Sequence, residues 1–105
     1  MPDNTALTET TYYILLSRHT PRHGYGIMQC AQELSGGRIR LAAGTLYGAL
    51  NAMSEKGWIA LLPGAEDSRK KEYRLTPMGL AVLKKELHRL QELVASGEQI
   101  LKEEL

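Results

Sequence analysis

The stretch from Thr76 to the end of the sequence constrains this chain more than any other. Thr76-Pro77 is a strong helix start: the threonine side chain can accept from N–H groups of the first turn, and proline lacks only an N–H that would be unpaired there. Leu80, Leu83, Leu87, Leu90 and Val94 then recur at spacings of three and four, and Leu101 falls in phase beyond Val94. Such a seam belongs to a helix that must lie against something. The Leu80–Leu90 seam is either core of this chain or a dimer interface; because in 105 residues it runs past any body the preceding residues can build, a second copy of the chain is the expected partner. Gly97 falls on the seam, where a kink or a close approach is possible.

Everything before Thr76 is cut into short pieces. Residues 7–19, LTETTYYILLSRH, contain the run Tyr12 to Leu16, which periodicity alone reads as buried strand or buried helix; length, and flanks free of turn residues, favour a helix. Pro21 ends it, and residues 20–24, TPRHG, form a connector. A second helix is expected from about Tyr25 to Leu34, with Ile27, Ala31 and Leu34 on one face and a stop at Ser35-Gly36-Gly37. Residues 38–41, RIRL, alternate basic and apolar side chains, which suits a short edge strand. A third helix follows from about Gly44 to Lys56 and stops at Gly57. WIALLP (58–63) and KKEYRLT (70–76) read as two strands joined by the turn residues GAEDS (64–68). The expected fold class is mainly α with a small β-hairpin, divided into residues 1–76 and a long C-terminal helix over 77–105.

Composition narrows the function classes. No run of about 18 apolar residues could span a bilayer, and the opening MPDNTALTET is acidic and polar, which is wrong for a secretory signal. One cysteine makes no disulfide framework, so a cytoplasmic location is expected and Cys30 reads as a small buried residue. His19, His23 and His88 show no metal-ligand spacing, and no nucleophile–base pair, phosphate loop or carboxylate pair emerges. Neither enzyme activity nor a cofactor is expected. The net charge is only +1, yet residues 69–74, RKKEYR, carry four basic side chains and one acid, whereas 77–105 carry four basic and five acidic. Positive charge is therefore gathered in the hairpin.

The third helix carries two glycines four residues apart, each disfavoured by roughly 0.5–1 kcal/mol relative to alanine. On a helical wheel Leu46, Ala49, Leu50 and Met53 form one apolar stripe, while Gly44 and Gly48 lie at the opposite pole, flanked by Thr45, Tyr47 and Asn51. A small, polar outer face of this kind fits close approach to DNA or docking on another protein. A helix-turn-helix uses its second helix in the first way: Asn51 has the amide suited to adenine, Thr45 can meet a base or a phosphate, and Tyr47 can donate to a phosphate oxygen. Arg69, Lys70 and Lys71 on the hairpin, with Arg38 and Arg40 on the preceding strand, add the backbone-gripping charge of a wing and favour DNA. A winged-helix protein-interaction module without DNA binding is the alternative.

These segments resemble the PadR family of bacterial transcription regulators. The resemblance rests on YYILLSR (12–18), HGYGIMQ (23–29), GGRIRLAAGTLYGALNAM (36–53), KGWI (56–59) and RKKEYRLTPMGLAVL (69–83), which together cover most of residues 7–90. It implies a winged helix-turn-helix that dimerises through its last helix with help from the first. It further implies binding to palindromic promoter DNA, usually as a repressor, and release by a small effector. Its recognition motif falls on Gly44, Thr45, Leu46, Tyr47 and Gly48, of which Leu46 is core by the wheel, and its wing on Arg69, Lys70 and Lys71. Some small members bind flat compounds against a tryptophan of the last helix. Here the only tryptophan, Trp58, opens the hairpin, where packing behind the wing is expected.

Overall fold

The computed structural model describes residues 6–18, 22–62 and 72–104. Within them the chain runs α1 (Glu9–Ser17), β1 (Arg22–His23), α2 (Gly24–Leu34), α3 (Ala43–Glu55), β2 (Ile59–Leu61), β3 (Glu72–Leu75) and α4 (Pro77–Leu101). The run from Tyr12 to Leu16 is helical, and Thr8 caps it by accepting from the Thr11 N–H at 3.1 Å. Ile14 and Leu15 of α1, Ile27 of α2 and Leu46, Leu50 and Met53 of α3 form the core, closed by Ile59, Tyr73 and Leu83. This is the three-helix body that the short apolar stripes call for, with the hairpin and the start of α4 as its remaining walls.

Both glycine stops take the form their chemistry allows. At Gly36 (φ 65°) the N–H bonds the Glu33 carbonyl while the Gly37 N–H reaches back to Gln32 at 2.8 Å. At Gly57 (φ 79°) the N–H bonds Ser54 and the Trp58 N–H bonds Met53, so the last carbonyls of α2 and α3 are satisfied by a left-handed residue.

The sheet departs from expectation in one strand. Residues 38–41 are not a strand: Ser35 Oγ accepts from the Ile39 N–H at 2.9 Å, and Leu41 packs on the core from a segment outside the sheet. The place beside the hairpin is taken by β1 instead, from the segment expected to be only a connector. The order is β1–β3–β2, antiparallel, with Arg22 opposite Tyr73 and Ile59 opposite Leu75. The basic–apolar alternation of residues 38–41 is met by half-burying Ile39 and Leu41, which needs no ladder.

Helix α4 starts where Thr76-Pro77 directs. Thr76 Oγ1 accepts from the Gly79 N–H at 3.0 Å and its hydroxyl donates to the Gly57 carbonyl at 2.5 Å, pinning the helix start to the end of α3. Gly79 is fixed by contact: a Cβ there would lie 2.0 Å from the Trp58 carbonyl oxygen. The expected seam then divides. Leu83, only 6% exposed, is part of this chain's own core, and Leu90 is half-buried. Leu80, Leu87, Val94 and Leu101 stay exposed, as do Leu93 and Ile100, which the three-and-four count omits. No helix is long and apolar enough to cross a membrane among the described residues.

Candidate nucleic-acid interface

Helices α2 and α3 meet across Ile27, Ala31, Leu46 and Leu50, all fully buried. That packing turns the opposite side of α3 outward. Gly44, Thr45, Gly48 and Asn51 are exposed, and among the described residues nothing lies within 4 Å of where a Cβ on Gly44 or Gly48 would stand. Neither glycine has positive φ, so neither backbone conformation nor internal packing requires it. The helix begins after Ala42, which offers no side-chain cap to the first N–H groups of α3. Such N–H groups suit an anion.

Tyr47 is placed differently from its neighbours. It is 45% exposed, but its ring lies over the first residue of α2, where a Cβ on Gly24 would come within 2.7 Å of the Tyr47 hydroxyl. The same phenol neighbours Tyr73 of β3. Burial pushes the Tyr73 hydroxyl above its ordinary range, Tyr47 raises it further, and the Arg18 guanidinium partly offsets both. Tyr47 thus covers the start of α2 and stands near enough to the central strand to act electrostatically on Tyr73.

The basic residues fall in three places. Arg40 is exposed on the segment leading into α3, while Arg38 turns toward α1 and pairs with the Glu9 carboxylate. Arg69, Lys70 and Lys71 lie outside the described residues. Arg74, which the sequence reading did not single out, is exposed on β3 next to the buried Tyr73. Its alternation with Tyr73 was the available signal.

Three charged residues missing from the sequence reading are organised away from this face or beneath it. Arg18 is wholly buried at the end of α1. Glu86 of α4 is buried and accepts from Arg89 Nε at 2.8 Å and Nη2 at 2.7 Å. Those bonds hold the Glu86 carboxyl below the usual range against the opposing effect of burial, and the Leu7 N–H adds to them. Above Glu86 an open groove of about 940 Å³ runs between the start of α1 and α4, lined by Leu7, Thr11, Trp58, Val82 and Arg89 among others. Trp58 is half-buried there with Lys56 Nζ 4.7 Å over its ring.

This geometry is that of a helix-turn-helix with a wing, and the sequence profile of the PadR-like family of transcriptional regulators matches residues 13–85. The chain belongs to that family. It is 37% identical over 73 residues to a 37.1 kDa protein of transposon TN4556 from Streptomyces fradiae, covering 70% of this chain and 20% of that one, so the chain spans about a fifth of that relative's length. A PadR family transcription regulator from hypervirulent Clostridium difficile R20291 superposes with a TM-score of 0.71 at 23% identity, over 90% of this chain and 99% of that one. BpsR of Bordetella bronchiseptica, whose DNA binding is regulated by 6-hydroxynicotinic acid, superposes with a TM-score of 0.69 at 17% identity, over 93% of this chain and 69% of that one. At these identities the two structures establish a shared winged-helix fold. Family and neighbours are transcription regulators and not enzymes.

Proposed function

We propose that this PadR-family chain is a sequence-specific repressor that binds palindromic promoter DNA as a homodimer and is released by a small effector. The observation that carries the DNA reading is the bare outer face of α3. Two glycines cost helix stability and, among the described residues, serve no turn or internal contact, which favours a demand made by a partner. With Gly44 and Gly48 against the major groove, Thr45 and Asn51 reach base edges and Tyr47 reaches a phosphate, while Arg40 and the wing residues Arg69, Lys70 and Lys71 grip the flanking backbone.

The dimer reading is supported by the distal half of α4, where Val94 (58%) and Ile100 (77%) are exposed with Leu93 and Leu101 around them. The effector reading is supported by the open groove beside Trp58 and by the ligand regulation of BpsR, which shares the fold. The reaction to a ligand would be geometric: two recognition helices held about 34 Å apart fit one turn of DNA, and a shift of that spacing releases it. A regulator of this kind works in the cytoplasm.

The test is fluorescence anisotropy with DNA from just upstream of the protein's own gene and with a scrambled duplex, at two salt concentrations. A preference of about 10³-fold or more for the upstream duplex is the expected result. Equal, salt-sensitive binding to both places the operator elsewhere. Binding to neither duplex overturns the DNA reading in favour of a protein-interaction module.

A further inference from the structure

Arg18 is the largest fully buried side chain among the described residues, and a buried guanidinium is expensive unless its donors are met. Two of its donors reach backbone carbonyls: Nη1 that of Tyr73 at 2.8 Å and Nη2 that of Ser17 at 2.9 Å. Its own carbonyl accepts from the Leu75 N–H at 3.2 Å. One residue at the end of α1 therefore holds β3 at two alternate positions, by side chain and by main chain. Strand β3 is the segment that directly follows Lys71, and its Tyr73 lies beside Tyr47 of α3.

We propose that Arg18 is a positioning residue for the wing: by gripping Tyr73 and Leu75 it fixes β3 relative to α3, so that the basic stretch before β3 and the bare face of α3 meet the same stretch of DNA. The inference rests on the DNA-binding reading for its consequence, but not for its structural part. A planar fork of fixed geometry suits two carbonyls held in set directions, which a lysine ammonium does not reproduce.

The test uses R18M and R18K in the full chain, with two readouts. The first needs no DNA. Amide hydrogen exchange at Glu72–Leu75 should quicken by roughly ten-fold or more in R18M relative to the amides of α2 and α3, and less in R18K. The second is titration of the upstream duplex across a salt series. R18M should bind roughly ten-fold more weakly, and its log K against log salt should be shallower by up to about 2.7 per half-site, the contribution of three lost phosphate contacts. Adding alanines at Arg69, Lys70 and Lys71 to R18M should then change little, whereas a merely structural role for Arg18 predicts that the two losses add in full.

Unchanged exchange at Glu72–Leu75, an unchanged salt slope, or full additivity overturns the proposal. If R18M does not fold, R18K is judged by the same three criteria. If the unmodified protein binds no duplex, the DNA reading fails on its own account, and the exchange comparison still decides whether Arg18 fixes the strand.

Discussion

Two glycines of this chain carry opposite meanings, and a single added methyl separates them. At Gly79 the added Cβ would stand 2.0 Å from the Trp58 carbonyl oxygen, a backbone atom that cannot yield without moving the hairpin. Gly79→Ala should therefore destabilise by about 1–3 kcal/mol or more, read as a lowered midpoint of urea unfolding. At Gly48 the added Cβ meets open space in a helix, so Gly48→Ala should raise stability by up to about 1 kcal/mol. The same Gly48→Ala protein should bind DNA more weakly, and Gly48→Leu should keep the fold while abolishing specific binding. Tight specific binding by the leucine variant would show that the face does not approach DNA. The wheel made Gly48 legible in the sequence; Gly79 was not, because its constraint comes from a carbonyl on a distant segment. Arg18 and Glu86 were hidden for a similar reason, since a lone charged residue at a helix end or on a helix face reads as solvated until the fold shows what covers it. Glu86 has its own signature. Its folded pKa is depressed, so the stability it contributes is present above the ordinary carboxyl value of 4.5 and is lost as pH falls through that value toward the lower folded one. Thermal midpoints of the native chain and of Glu86→Gln should differ at pH 7 and converge in acid; a gap that persists unchanged in acid would mean the carboxylate is not the source.

At the scale of elements, the sequence located most of the pieces and misassigned one. Helices and the two hairpin strands were legible because their signals are local: glycine stops, a threonine cap, apolar spacing. The third strand was not, because pairing is a property of two segments. Residues 38–41 have the alternation of a strand but pair with none, while Arg22–His23, with no strand pattern of its own, takes the edge that β3 leaves open. The start of α4 shows how strong a local signal can become once it is shared. Thr76 caps its own helix through Gly79 and also donates to Gly57 at the end of α3. Thr76→Ala removes both bonds and should cost about 1–2 kcal/mol in unfolding experiments, with Thr76→Ser recovering most of it. Serine failing to recover would assign the loss to the methyl group's packing instead of the hydroxyl.

For the whole molecule, the question is why one helix is buried along its first half and bare along its second. The first half of α4 is spent inside the chain, with Gly79, Leu83 and Glu86 buried against the hairpin and α1. Beyond Leu90 the body ends, and the inward line of the helix continues past it as Gly97, with Val94 and Leu101 along one side and Leu93 and Ile100 along the other. An even leucine repeat in the sequence could not show where the change occurs, because the same spacing serves a monomer core and an interface equally well. The two halves should therefore fail in different ways. Leu83→Ala removes a buried side chain and should lower the stability of each protomer by about 2–5 kcal/mol, whatever its partner does. Val94→Glu with Ile100→Glu places charge on a face that is already solvated in the lone chain, so helical content and the fold of the winged domain should survive. Sedimentation equilibrium should then report the mass of one chain, where the proposed dimer predicts two for the unsubstituted protein. DNA affinity should fall in the same variant far more than any single surface charge could explain, since one recognition helix must now bind without the second held about 34 Å away. If the double variant still sediments as a dimer, the distal half of α4 is not the interface, and the exposed Leu80 and Leu87 nearer the body are the residues to replace next.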